Sequence, residues 1–366
     1  SIRDQGTGEV ETFLNVSVLP DHSRRVDKVL ENSSQLVRVT GELLGERPEV
    51  TDWEHNEVTE GEDGNVITKD EFITDKEASK EGLYALENTD LFNLLCIPPF
   101  APDTDITSDL IDTALGYCEK RRAMMIIDSP SGWNNKDDAK TGIDQSAQVG
   151  PTSTNGAIFF PRLKMPNPLK ENQIETFAAC GAIAGIFART DASRGVWKAP
   201  AGLEAVLKGV TGLSVPLTDP ENGELNPKGI NCLRVMPPAG KIVWGSRTRV
   251  GDDMLASEWK YIPVRRLALY LEETLYRNTQ WAVFEPNDEP LWSQLRLNIG
   301  SFMQNLFQQG AFQGSSPKEA YFVKCDKETT TQYDINQGIV NIVIGFAPLK
   351  PAEFVILKFQ QIAGES

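Results

Sequence analysis

The chain has 366 residues, 40% of them hydrophobic and 24% charged, with 52 acidic against 36 basic side chains and a net charge of −16. That length exceeds what one hydrophobic core serves, so two or three domains are expected, and the composition is that of a globular rather than a disordered chain. The acidic balance argues against a nucleic-acid backbone as partner, which needs clustered Lys and Arg.

Five widely spaced cysteines (Cys96, Cys118, Cys180, Cys232 and Cys325) form no CxxC pair and read as reduced core thiols. Ser1 to Glu9 is polar and carries no signal pattern. The longest apolar run, Phe177 to Ala188, is twelve residues, too short to span a membrane. A soluble protein made in the cytoplasm is expected.

In chain order, Val10 to Leu19 alternates as a strand should, and Gln35 to Thr40 suggests another. Thr51 to Gly82 holds eleven acidic side chains against Lys69, Lys76 and Lys80, a net −8, and reads as solvated loop with short elements. An α/β alternation follows. Phe92 to Ile97 is a strand, and Thr107 or Ser108 caps a helix with Leu110, Ile111, Ala114, Leu115 and Cys118 on one face. Ala123 to Ile127 and Gly156 to Phe160 are continuous apolar strands. Ile174 to Arg189 is expected as a small-residue helix, central because Gly and Ala let another backbone come close. Strands alternating with helices imply a mostly parallel sheet covered on both faces.

Pro216 to Gly229 is expected to be a loop or domain junction. Asn231 to Met236 and Lys241 to Trp244 then read as strands. Pro263 opens a helix with Val264, Leu267, Ala268, Leu271 and Leu275 on one stripe. Asn287-Asp288-Glu289-Pro290 caps another, with Leu291, Leu295, Ile299, Phe302, Met303 and Leu306 inward and Gly310 at its end. Tyr321 to Cys325, Ile339 to Phe346 and Phe354 to Phe359 supply further strands. The fold class is therefore α/β followed by α+β, divided at 1–230 and 231–366. A chain whose last residues form a hydrophobic β-segment needs a cover, because edge strands recruit other chains.

No catalytic motif emerges. Only His22 and His55 are present, and HExxH, zinc-ligand spacing, G-x-S-x-G and a Walker loop are all missing. Neither a cofactor nor a metal is expected. Arg247, Arg249, Arg265 and Arg266 concentrate positive charge in an acidic protein. Two readings stay open for them: ion pairing within the chain to Glu272, Glu273 or Glu285, or contacts between subunits.

Linked blocks make the sequence recognisable. "RTDASRGVWKAPAG" (Arg189 to Gly202), "LNPKGINCLRVMPPAGKIVWGSRT" (Leu225 to Thr248), "WKYIPVRRLALYLEETL" (Trp259 to Leu275), "QWAVFEPNDEPLW" (Gln280 to Trp292), "GAFQG" (Gly310 to Gly314) and "QYDINQGIVNIVIGFAPLKPAEFV" (Gln332 to Val355) resemble, in order, the tail sheath proteins of contractile phages, pyocins and related injection systems. The closing segment looks most similar to sheaths of injection particles that lack a DNA-filled head.

The resemblance implies a subunit of hexameric rings stacked helically around an inner tube, which contracts to drive that tube through a target envelope. It further implies a subtilisin-like α/β domain without a catalytic triad, followed by an α+β sheath C-terminal domain lying against the tube. Partners would be other copies of the chain, the inner tube protein, and the baseplate and tail terminator proteins, with no nucleic acid. The particle would be assembled in the bacterial cytoplasm. Neighbours would exchange terminal strands. Residues 347–366 would form a C-terminal arm, with Phe354, Val355, Ile356, Leu357 and Phe359 in the exchanged strand and Pro348 and Pro351 at its hinge. Ser1 lies only ten residues before the family's "ETFLNVSV" block, so a fragment lacking its N-terminal arm is expected. The competing readings are a degenerate hydrolase using Asp128 and Ser129, and a scaffold that does not polymerise.

Overall fold

The computed structural model describes residues 1–4, 6–41, 64–101 and 104–354. They fall into two compact units, Ser1–Asn65 and Val66–Ser366. In the first, β1 (Ile2–Arg3) pairs antiparallel with β2 (Val10–Glu11), and α1 spans Val26–Ser33. The strand expected over Val10 to Leu19 is thus two residues long, and Gln35 to Thr40 forms none. Side chains have taken the backbone donors a ladder would use. Gln35 N donates to Glu11 Oε1 at 2.6 Å, while Leu36 N and Val37 N donate to Ser34 Oγ at 3.2 and 3.1 Å.

The second unit opens with α2 (Lys69–Ile73), capped reciprocally by Thr68 and Glu71. The elements that follow are β3 (Leu94–Cys96), α3 (Ser108–Lys120), β4 (Met124–Asp128), α4 (Lys136–Gly142), α5 (Ser146–Val149) and β5 (Gly156–Phe160). Next come β6 (Leu163–Asn167), β7 (Gln173–Phe177), α6 (Cys180–Arg194), β8 (Gly212–Leu213), α7 (Asp219–Leu225), β9 (Ile230–Met236) and β10 (Gly240–Val243). The chain continues through α8 (Ile262–Asn278), α9 (Glu289–Gln308), α10 (Pro317–Ala320), β11 (Tyr321–Lys324), α11 (Gln332–Asn336) and β12 (Val343–Phe346).

The central sheet has the order β10-β9-β5-β4-β3, parallel except for the β9–β10 hairpin. Its apolar strands serve two cores at once, because successive side chains leave opposite faces. Met125, Ile127, Ile158 and Phe160 join Ile111, Ala114, Leu115 and Cys118 of α3. Met124, Ile126, Ala157 and Phe159 join Ile183, Ile186 and Phe187 of α6. Residue 230, where the sequence suggested a division, is the first residue of β9, which pairs with β5 inside this sheet.

Two expectations are corrected here. Ile174 to Phe177 is not helical: it belongs to β7, antiparallel to β6, and the helix runs from Cys180 to Arg194. Asp128 fixes that start, its Oδ1 accepting from Ala179 N at 2.7 Å and Cys180 N at 2.8 Å. Among the described residues no atom lies within 4 Å of where a Cβ would sit at Gly181 or Gly185, so no close approach uses these two glycines there. Pro216 to Gly229, expected as a loop or domain junction, contains α7, with Thr218 and Glu221 forming a capping box and a proline in its first turn.

The last part packs α8 and α9 against the antiparallel pair β11–β12. Leu267, Leu271, Ile299, Met303, Leu306 and Phe312 form its core. The strand expected from Ile339 starts only at Val343, because Ile339 N donates to Asp334 O and Asn341 N to Thr330 Oγ1. No helix among the described residues is long and apolar enough to cross a membrane.

Phe187 ties the central core together. It is fully buried, meets Phe159 edge-on with centroids 6.1 Å apart, and lies under the Arg266 guanidinium at 5.1 Å. Phe187→Ala is expected to cost about 3–5 kcal/mol of stability, measured by urea denaturation.

Candidate functional site: the anchored carboxyl-terminal segment

The site starts from a buried asparagine in β9. Asn231 donates through Nδ2 to Ile158 O at 3.0 Å and Arg247 O at 2.7 Å, and its Oδ1 accepts from Arg247 N at 2.6 Å. Beside it, a Cβ on Gly245 would lie 2.7 Å from Asn231 Cα, a separation that side chains do not tolerate, so the close approach requires glycine. These contacts fix the loop after β10 and aim the Arg247 side chain inward.

The side chain of Arg247 has 0% exposure. Its Nε donates to Glu353 Oε1 at 2.8 Å and its Nη2 to Glu353 Oε2 at 2.6 Å, a bidentate fork. Nη1 donates to Gly251 O and to Asp253 Oδ1, both at 3.0 Å. Asn226 Nδ2 and Tyr261 Oη each donate to Glu353 at 3.3 Å, and Lys260 Nζ donates to Asp253 at 2.5 Å. Burial pushes the Glu353 carboxyl up, but the Arg247 hydrogen bonds and charge outweigh it and hold the group below its ordinary value. Burial likewise opposes the Arg247 charge, and the Glu353 bonds overcome it and raise the group.

Glu353 lies on the segment leaving β12. Ala347 N donates to Ala320 O and Ala347 O accepts from Gln313 N, while Pro348 bridges to Phe312. Leu349 to Phe354 then borders a cleft of about 660 Å³, with Trp197, Lys198, Trp244 and Ser246 on its walls. The segment is therefore secured at both ends, to the small sheet at Ala347 and to the central sheet's loop at Glu353. Pro348 and Pro351, expected at a hinge, lie within this secured stretch. Phe354 is 69% exposed, and Val355, Ile356, Leu357 and Phe359 lie outside the described residues.

The other arginines are also engaged within the chain. Arg249 is buried, with Nη2 3.4 Å from Ile143 O and no partner for Nε, and burial lowers its guanidinium to about 10. Arg265 donates through Nε and Nη2 to Asn155 Oδ1, both at 3.1 Å, lies 3.5 Å from Glu272 and covers the Trp259 ring. Arg266 forks onto Asp191 at 2.7 and 2.6 Å, tying α8 to α6. Of the carboxylates expected from sequence, only Glu272 is taken up by this group. Glu273 pairs with Arg122 and Arg277. A surface contact between subunits does not fit Arg247, whose side chain is wholly enclosed.

The described residues of the hydrolase reading have structural contacts. Asp128 holds the start of α6, Ser129 is buried, and His22 Nδ1 accepts from Arg24 N. His55 lies outside the described residues.

Sequence reasoning missed Glu353 as the partner of Arg247. Its signal was present: Glu353 is the one carboxylate between Asp334 and Glu365, in an otherwise apolar and proline-rich stretch.

Comparison with known proteins agrees with this architecture. Residues 74–249 match the phage tail sheath protein central domain, and residues 256–362 match the phage tail sheath C-terminal domain. The anti-feeding prophage helical sheath in its contracted state is 36% identical, with a TM-score of 0.63 over 75% of this chain and 72% of that one. The sheath of the PVC extracellular contractile injection system, also contracted, is 31% identical, with a TM-score of 0.64 over 75% and 72%. A Pseudomonas aeruginosa (strain UCBPP-PA14) prophage protein, described as a major tail sheath protein, is 26% identical over 254 residues. That match covers 65% of this chain and 58% of the relative, so the chain spans less than two thirds of that relative's length.

Both parts of this mixed α/β unit thus match domains of tail sheath proteins. The chain belongs to the contractile tail sheath family.

The depressed Glu353 group sets a pH dependence. Its contribution is complete above the unfolded value of 4.5 and is lost as pH falls through the lower folded value. The stability difference between the wild type and Glu353→Gln is expected to be constant near neutrality and to shrink below pH 4.5, as read by urea melts at stepped pH.

Proposed function

We propose that this chain is a subunit of a contractile sheath that forms hexameric rings, stacks helically around an inner tube, and shortens to drive that tube through a target envelope. The observation that carries the reading is the match of both regions to sheath domains, together with the likeness to sheaths captured in the contracted state. The role is structural rather than catalytic. Partners are further copies of the chain, the inner tube, the baseplate and the tail terminator, with assembly in the bacterial cytoplasm. The central sheet with its flanking helices is read as the family's subtilisin-like domain. The chain is read as a central and a C-terminal domain, and the separate sheath matches over 74–249 and 256–362 support a boundary after residue 249 in place of 230.

The anchored segment gives this reading a mechanical form. Contraction rotates rigid bodies while backbone hydrogen bonds of an exchanged strand keep neighbours linked. A linking strand transmits force only if its root is fixed, and the Arg247–Glu353 pair provides such a root. We therefore place the root of the arm at Glu353 rather than at Pro348 or Pro351, and read Phe354, Val355, Ile356, Leu357 and Phe359 as the exchanged strand.

Deleting residues 355–366 from the complete gene product is expected to leave the folded unit intact by circular dichroism and to abolish sheaths in negative-stain electron micrographs. Wide hollow tubes formed by the deletion variant would remove the arm from the account.

A further inference from the structure

Three groups meet at one end of the central sheet without a part in the anchoring of the C-terminal segment. Cys96 ends β3, Asp128 ends the neighbouring strand β4, and Cys180 begins α6. Cys96 pairs in register with Ile126, two residues before Asp128. The Cys96 Sγ donates to Cys180 O at 3.5 Å, and both cysteines pack in the core beneath α6. Asp128 Oδ1 holds the Ala179 and Cys180 N–H groups, while its Oδ2 is buried with no hydrogen-bond partner among the described residues. The other cysteines offer no comparable pairing: Cys118, Cys232 and Cys325 are buried, and burial pushes the Cys118 and Cys232 thiols up to about 12.

We propose that Cys96 and Cys180 are an oxidation-sensitive pair that closes to a disulfide, fastening the edge strand β3 to the start of α6. The Cys96 sulfur already lies against Cys180, 3.5 Å from its carbonyl oxygen, and the proximity of the two side chains lowers the Cys96 group and raises the Cys180 group. Cys96 is also the more exposed of the two, Cys180 being 2% exposed. Cys96 is therefore the thiol that meets an oxidant first, since the thiolate is the reacting form.

With diamide as oxidant, the Cys96 sulfur adds to one nitrogen of the azo bond. The Cys180 sulfur then attacks Cys96 Sγ, forming the S–S bond and releasing the reduced hydrazine. Two electrons leave the thiols, and two protons end on the hydrazine. Asp128, which already accepts from the Cys180 N–H at 2.8 Å, is the carboxylate we assign to receive the Cys180 proton in the second step. Burial pushes its carboxyl above the ordinary value, although its bonds with Cys180 and Ala179 pull it down, so it is a better proton acceptor than an exposed aspartate.

The test uses the full chain under native conditions. The protein is treated with diamide, remaining thiols are blocked with N-ethylmaleimide, and tryptic peptides are mapped without reduction and fragmented in the mass spectrometer, because residues 81–120 carry both Cys96 and Cys118. The expected result is one peptide joining Cys96 to Cys180, a fall in free thiols from five to three, and recovery of all five with dithiothreitol. Cys96→Ser, at the more accessible position, is expected to fold and to lose the bridge. Cys180→Ala should lose it independently. A full complement of thiols after diamide, a bridge to a different cysteine, or an unchanged loss of two thiols in Cys96→Ser would each overturn the proposal.

Discussion

A guanidinium with no exposed surface must have its charge and its donors answered inside the protein, and Arg247 is such a group. Its partners are widely separated in sequence. Asn231 in β9 positions its backbone, Gly251 and Asp253 follow it by a few residues, and Glu353 lies 106 residues further on. The chain's late segment is thereby written into the centre of the fold. Removing Glu353 would leave the desolvated cation with half-exposed Asp253 as its carboxylate partner among the described residues, an outcome costlier than losing an exposed pair. The rest of the C-terminal path, from the Ala347 backbone bonds to the cleft beneath Leu349 to Phe354, takes its course from that fixed point.

The central sheet makes the anchoring possible. Each of β4 and β5 supplies two cores by alternation, so the strands cannot slip register without exchanging their two apolar faces. That rigidity is passed to β9, then to Asn231, then to the Arg247 loop. A second fork, Arg266 onto Asp191, joins α8 to α6 across the same face. Both forks use arginine, whose planar donors match a carboxylate at two points where lysine would offer one charge.

Much of this was legible in the sequence because local signals and tertiary needs agreed. Gly156 to Phe160 is a strand with the bounds read from its apolar run, and α8 and α9 follow their proline and Asp288 caps. The errors arose where two signals competed. Ile174 to Phe177 adjoins a helix-forming run, and its apolar residues were absorbed into that helix. The left-handed turn residues Glu171 and Asn172, which fold β7 back on β6, were the overlooked clue. The helix at Asp219 was hidden by its proline and glycine content, although Thr218 and Glu221 spelled out a capping box.

The arginine cluster was visible as a cluster, but its partners were not. Pairing was sought among nearby glutamates; Arg265 does meet Glu272, whereas Arg247 and Arg266 use Glu353 and Asp191. Sequence proximity ranks candidate ion pairs poorly when strands and helices bring distant residues together, whereas a lone carboxylate in an apolar segment points to a buried partner. Glu353 fits that description.

The most direct test of Arg247 and Glu353 as one energetic unit is a double-mutant cycle with Arg247→Met and Glu353→Gln, measured by urea denaturation at neutral pH. Each single change is predicted to destabilise the chain by about 3–5 kcal/mol. The double variant should lose less than the two costs combined, with a coupling above about 1.5 kcal/mol. Costs that add to within about 0.5 kcal/mol would contradict the account, because the two groups would then be stabilising the fold independently.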